Sequence, residues 1–441
     1  MLNVGLAEID VTPPLGIALS GHWYIRHATS VRDPLFAHAM VLDNEQGAPI
    51  CIITVDVLSV QRGTVLRCRE AIEQATGIPA ERIAISATHT HYGPLVARIW
   101  TRDVRPDPDY LAELEAGIVE AATAAWEARQ PAQIAIGWAF EGRISFNRRF
   151  MMRSGEVVMH PPVGSTDILY QEGKTDPEVG MISVRDTDGK PIGWWVNFAC
   201  HATVSDQGDA ISADYPGELA AEMKRRHGDD VVTLYGNGCC GNLCQIDVFN
   251  PDRAAKGEPI LEALAKGIAD AVDRAEAEAE FVDDLPLDAR SVETQIPLRH
   301  VAPEVEQAAR ELLEDGACDE SDFEAYREHT YARMVIELVE EKRERPLTPV
   351  EVQALRIGVV ALVMLPGEVF VEHGLTIKLQ SPAERTFVVE LANGIVGYVP
   401  TREAFAGGGY EQKLGNNSKL SPVAGEMMTE TALALLDSMF R

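Results

Sequence analysis

Short runs rich in Val, Ile and aromatic residues recur along the chain: "AMVLDN", "ICIITVDVLSV", "RIAISATHTH", "AQIAIGWAF", "GWWVNFACHATV" and "VVTLYGNGCC". Runs of this length bounded by turn residues predict strands. Between them lie stretches with helical spacing. In "PDYLAELEAGIVEAATAAWEARQ", Leu111, Leu114, Ile118 and Ala122 fall on one stripe. "RGTVLRCREAIEQATG" reads as a second helix. "PGELAAEMKRRHG" carries Pro216 in its first turn and closes at Gly228, the start and stop chemistry of a third. The alternation predicts an α/β fold of mixed β-sheets covered by helices.

Residues 301–345 break this rhythm. "VAPEVEQAARELLEDG" and "ESDFEAYREHTYARMVIELVEEKRER" are two charged helical segments with no strand between them, so a helical hairpin is expected there. It reads as a solvated insertion, with a lid over a pocket as the alternative. Strands resume in "ALRIGVVALVMLPGEVF" and "RTFVVELANGIVGYVPT", and "MMTETALALLDSMF" closes as a helix. Without repeats or a low-complexity linker, residues 1–441 are expected to form a single domain.

Composition narrows the classes. The chain is 46% hydrophobic and 24% charged, as globular proteins are. Its 68 acidic and 39 basic residues leave a net charge of −29, which repels nucleic acid and anionic lipid surfaces. The opening "MLNVGLAEIDVTPPLG" lacks the basic start and apolar core of a secretion signal. No apolar run reaches the length of a membrane span. Seven cysteines without framework spacing predict reduced thiols, and a cytoplasmic location is the expectation. The composition leaves the oligomeric state open.

Four strand ends carry candidate chemistry. "SATHTHYGP" delivers His89 and His91 where Gly93-Pro94 ends an apolar run, and "NFACHATV" delivers His201 at a similar place. Strand ends in α/β folds are where ligand crevices form, and imidazole is the commonest metal ligand. Taken alone, such histidines serve equally as hydrogen-bonded structural residues. Glu368 follows Pro366-Gly367 in "LPGEVF", where it suits either a ligand or a charge in the first turn of a helix. Tyr398 ends the run "NGIVGYVPT" and reads as a core tyrosine with a satisfied hydroxyl. Two imidazoles and a carboxylate form the protein ligand set of a catalytic zinc site, which activates water toward a carbonyl. Asp56 and Asp214 are candidates to orient a ligand histidine, Asp214 serving equally as a helix cap. Cys239 and Cys240 read as inert buried thiols, a reactive thiolate being the alternative.

"SATHTHYGP", "NFACHATV", "LPGEVF" and "NGIVGYVPT", in this order, resemble the zinc-binding motifs of the neutral/alkaline ceramidase family. "VGLAEIDVTPPLGIALSGHW" and "VRDPLFAHAMVLDN" resemble that family's N-terminal strands, and the resemblance runs from about residue 3 to residue 410. It implies a ceramidase-like catalytic domain and a Zn²⁺-dependent amidohydrolase acting on a C–N amide bond of an N-acyl compound. His89, His201, Glu368 and Tyr398 match the family's metal ligands. His91 matches a residue that contacts the substrate oxyanion or moves a proton. Arg148 in "FNRRF" matches a functional arginine, although a surface charge is the simpler reading of that segment. Tyr410 in "GGGYE" matches a pocket tyrosine.

The chain also departs from the family. Relatives are mostly secreted and carry an additional C-terminal β-domain, and a serine of theirs falls where Gly238, Cys239 and Cys240 stand here. The charge and the missing lipid-docking domain shift the expected substrate from long-chain ceramide toward a small or amphiphilic soluble amide. An esterase or lactonase using the same metal is the competing enzyme, and a non-catalytic metal-binding protein the competing class.

Overall fold

Strands Asn3–Asp10, Phe36–Asp43 and Ile50–Val55 pair as an antiparallel meander, and Ile83–Ala87 adds in parallel to the last of them. The parallel return runs through the helix Arg62–Thr76, which Gly77 ends with φ 78°. That left-handed conformation is cheap for glycine and stops the helix where the sequence predicts. The structure, a computed structural model, describes residues 1–47, 49–97, 104–314, 318 and 322–441.

A second set of strands continues the same sheet. Gln130–Phe140, Glu178–Asp186 and Pro191–Phe198 are antiparallel neighbours, and Val232–Asn237 lies parallel to Pro191–Phe198. The two halves are joined in register at Asn3↔Pro131 and Val4↔Gln130. Helix Pro108–Glu127 covers the first half, burying Leu114, Ile118 and Ala122, while Leu111 stays half-buried at the stripe's edge. Helices Asp214–His227 and Glu258–Glu278 cover the second half.

A four-stranded sheet of Leu287–Pro297, Leu347–Ile357, Val360–Met364 and Arg385–Val389 lies against this one. Leu355, Leu362 and Phe387 meet Met40, Ile52 and Trp195 between the sheets. Helix Ala424–Phe440 closes the outer face. The layers are therefore helix, sheet, sheet, helix, and the site forms at one end of them. Burial of each large apolar side chain in this interior stabilises the fold by about 1.5–3 kcal/mol.

The helical hairpin is present as Pro303–Glu314 and Phe323–Glu344; residues 315–317 and 319–321 of the predicted segments lie outside the described residues. Asp322 caps the second helix by accepting from the amides of Glu324 and Ala325. Two lysines tie it down: Lys342 donates to the carbonyls of Leu298 (3.1 Å) and Arg299 (2.9 Å), and Lys419 pairs with Glu341 at 2.8 Å. Its inner face, with Arg333, Met334, Glu337 and Glu340, forms a wall of the cleft above the histidines. The expectation of a merely solvated insertion therefore needs correcting. The charges that marked the segment as solvent-facing line a concave surface instead.

Candidate metal centre

His89 and His201 arrive from two parallel strand pairs. Ile83–Ala87 ends two residues before His89, and Pro191–Phe198 ends three residues before His201. The chain turns after Ala87, with His89 at φ 67°. This left-handed conformation is unfavourable for a residue with a β-carbon, and local strain of this kind is typical of functional sites. The amides of Thr88 and His89 hold it by donating to the carbonyls of Val55 (3.0 Å) and Val57 (3.1 Å). The amide of His91 donates to Ala202 O at 3.1 Å, which ties the two histidine loops together. Glu368 and Tyr398 face each other in register on two short parallel strands, Glu368–Val369 and Tyr398–Val399.

Three donor atoms converge in a triangle. His89 Nε2 lies 3.2 Å from His201 Nε2, and Glu368 Oε2 lies 3.5 Å from the first and 3.2 Å from the second. Nitrogen and oxygen ligands about 2.0–2.1 Å from a tetrahedral zinc stand roughly 3.3 Å from one another, so these spacings fit one ion. His91 Nε2 is 3.4 Å from His89 Nε2, off one corner of the triangle. The ligand atoms of His89, His91 and His201 all lie within 4.8 Å of one another, and the three form a group able to hold a metal ion.

The hydrogen bonds behind the rings decide what fills the centre. Each Nδ1 faces a backbone carbonyl: Leu58 O at 2.8 Å from His89, Gly21 O at 2.7 Å from His91 and Cys240 O at 2.8 Å from His201. A carbonyl only accepts, so each Nδ1 carries the proton and each neutral ring turns an Nε2 lone pair inward. Burial and then the Arg148 charge lower His201 to about 4, and burial with the neighbouring imidazoles holds His91 well below the usual histidine value. Lone pairs and a carboxylate crowded together repel unless a cation lies between them. Glu368 Oε2, buried and without a hydrogen-bond partner, is such an orphan.

Arg148 is buried, so the surface-charge reading of its segment is corrected. Its Nη1 lies 3.3 Å from His201 Nε2, and its Nη2 donates to Gly241 O at 2.8 Å and to the Tyr398 hydroxyl at 3.3 Å. Tyr410 stacks edge-on against Tyr398 (5.6 Å between centroids) and Trp23 (5.9 Å), forming an aromatic side of the cleft. The structure thus gathers His89, His91, His201, Glu368, Tyr398, Arg148 and Tyr410 in one place. Glu368 does not serve a helix dipole, because the helix begins later, at Val371.

The expectation that Asp56 or Asp214 orients a ligand imidazole is corrected. Neither Asp56 nor Asp214 touches a ligand imidazole. Asp56 accepts from Phe36 N (2.9 Å) and Thr88 Oγ1 (3.0 Å), and so braces the residue before His89. Asp214 accepts from the amides of Val204 and Ser205, both at 2.9 Å, and from Tyr215 N at 2.8 Å, pinning the loop after His201. The Cys240 thiol donates to the buried Glu390 carboxylate at 3.0 Å, and burial together with Glu390 pushes both Cys239 and Cys240 well above the usual thiol value. Both shifts favour the reading of these as inert buried thiols. Sequence reasoning missed Glu390 and Glu411, both fully buried; neither the apolar run around Glu390 nor the glycine-rich segment around Glu411 carries a local mark of the partner.

Gly241 marks a close approach. A β-carbon there would lie 2.5 Å from the carbonyl oxygen of Glu368. Gly241→Ala is therefore expected to shift Glu368 and weaken metal affinity by about 10–100-fold with the fold kept, as disturbed support around a ligand typically does. Metal titration beside circular dichroism checks this, and unchanged affinity would remove Glu368 from the centre.

Fold and centre together define a mixed α/β protein with a histidine-rich, metal-capable site at its strand ends. No family model and no curated protein matches the chain. Among solved structures, neutral ceramidase from Pseudomonas aeruginosa is similar over 99% of this chain and 75% of that one, with TM-score 0.76 and 19% identity. A second structure, described as ceramidase complexed with C2, is similar over the same shares with TM-score 0.75 and 18% identity. The fold is that of neutral ceramidase.

Proposed function

We propose that this chain is a zinc-dependent hydrolase that cleaves the C–N amide bond of a soluble, amphiphilic N-acyl compound. The observation that carries the reading is the triangle of His89, His201 and Glu368, whose imidazoles are locked with lone pairs inward. Three such ligands, with Tyr398 beside them, suit zinc and leave a position open, whereas structural zinc sites are closed and rich in cysteine. Zinc, when bound, acts as a Lewis acid and makes water reactive near neutral pH.

The chain's own residues supply the rest. His91 is half-buried on the cleft side and its Nδ1 proton is committed to Gly21 O. Its Nε2 is therefore free to accept a proton and to return it to the departing amine nitrogen. Arg148 Nη1, turned toward His201, is a fixed donor suited to stabilising negative charge on the carbonyl oxygen.

The cleft supports the substrate class. Its volume is about 620 Å³, within the range of small-molecule sites. Leu58, Leu391, Ile395 and Val396 give it an apolar side, and Arg333, Glu337, Glu340 and Glu344 of the hairpin give it a charged one. A short acyl group suits the first wall and a hydrophilic amine the second. Among the described residues no helix is long and apolar enough to cross a membrane. A cytoplasmic location is part of the proposal, and six buried cysteine thiols suit a reducing compartment.

The test is a series of N-acyl amines of increasing chain length, with matched esters and lactones, on zinc-loaded protein. Amide hydrolysis is expected to be fastest with short chains, to stop with a chelator and to return with zinc, while the sheets persist. Turnover of esters alone would reassign the chain as an esterase. No turnover of any substrate by the folded, zinc-loaded protein would make it a binding protein.

A further inference from the structure

Arg148 is 5% exposed, and a guanidinium removed from water persists only where it is paired. It also stands beside a site suited to a divalent cation, and like charges at such range repel. Glu411 meets both demands. It is 0% exposed, and its Oε1 accepts from Arg148 Nε at 2.9 Å. Its Oε2 accepts from Nη1 of Arg149 at 2.7 Å, and Arg149 is held in turn by Glu172 and by Gly408 O at 2.7 Å. The chain Glu172–Arg149–Glu411–Arg148 thus grips the guanidinium from behind. With Nη2 committed to Gly241 O and Tyr398, only Nη1 remains turned toward His201.

We infer that Glu411 is a positioning residue: it fixes the Arg148 fork so that Nη1 faces the reacting group, and it offsets the charge that would oppose metal binding. The kinetic part of this inference rests on the proposed amide hydrolysis, and the metal-affinity part does not. Charge-assisted pairs of this geometry are directional, so loss of the carboxylate frees the fork to rotate rather than deleting it.

The experiment is a double-mutant cycle on the full-length, zinc-loaded chain with Glu411→Gln, Arg148→Ala and the pair, read by kcat, KM, zinc affinity and melting temperature. Glu411→Gln keeps the shape and one acceptor. It is expected to lower kcat about 10-fold with KM nearly unchanged and to weaken zinc severalfold, the size of effect typical of support around a site. In the Arg148→Ala background the same change is expected to alter neither quantity, since both effects travel through Arg148. Arg149 still pairs with Glu411 in that background, and Arg148→Met preserves volume should the alanine variant fail to fold. Equal losses in both backgrounds, or a fall in melting temperature alone, would make Glu411 merely structural and overturn the inference. Should no amide be hydrolysed by the parent protein, the proposed function fails, while the zinc-affinity arm still decides the role of Glu411.

Discussion

Replacing His201 by Ala is expected to abolish metal binding and turnover together while leaving the layered fold in place. His201 is 1% exposed and supplies the corner of the triangle closest to Glu368. Without it, His89 and Glu368 remain as a two-ligand remnant, too few for a zinc site of this type. The metal's electrostatic contribution to a hydrolytic transition state is worth several kcal/mol, which corresponds to a loss of at least about 10³-fold in kcat/KM. The cost to stability is smaller: Cys240 O loses a donor, an effect of about 1–3 kcal/mol. Metal analysis, steady-state kinetics and a melting curve on the same preparation separate these outcomes. His89→Ala is expected to behave alike. Full activity in either variant would remove that residue from the centre.

The second large effect concerns His91, and it distinguishes a proton-moving residue from a ligand. His91 Nε2 lies 3.4 Å from His89 Nε2, off the triangle whose Glu368 Oε2 corner is 3.5 Å from His89 and 3.2 Å from His201. His91 also faces the cleft, where a substrate can reach it. His91→Ala is therefore expected to keep its zinc and to lose about 10²–10⁴-fold in kcat, the usual contribution of a general acid or base. Exogenous imidazole should restore part of the rate. Loss of zinc along with the rate would instead make His91 a ligand.

Much of the fold was legible because its elements announce themselves locally. The stripe Leu114–Ile118–Ala122 and the Gly77 and Gly228 stops all act within a few residues. The site residues were legible for a different reason: His89, His201, Glu368 and Tyr398 each follow an apolar strand. Their convergence was not, because they come from separate strands and strand ends, and only the packing of two sheets brings His89, His201 and Glu368 within 3.5 Å of one another. The supporting groups were the least legible. Sequence reasoning looked for carboxylates behind the imidazoles and chose Asp56 and Asp214, whereas the molecule uses the carbonyls of Leu58, Gly21 and Cys240. Every residue has a carbonyl, so nothing in the sequence marks these three. The hairpin misled for a related reason, since charged residues facing a cleft and charged residues facing solvent have the same periodicity.

The most direct test is anomalous diffraction at the zinc edge from crystals grown with zinc. The account predicts a single strong peak bonded to Nε2 of His89, Nε2 of His201 and the Glu368 carboxylate. A protein crystallised with zinc that shows no peak among these three groups, or one seated elsewhere, would contradict it.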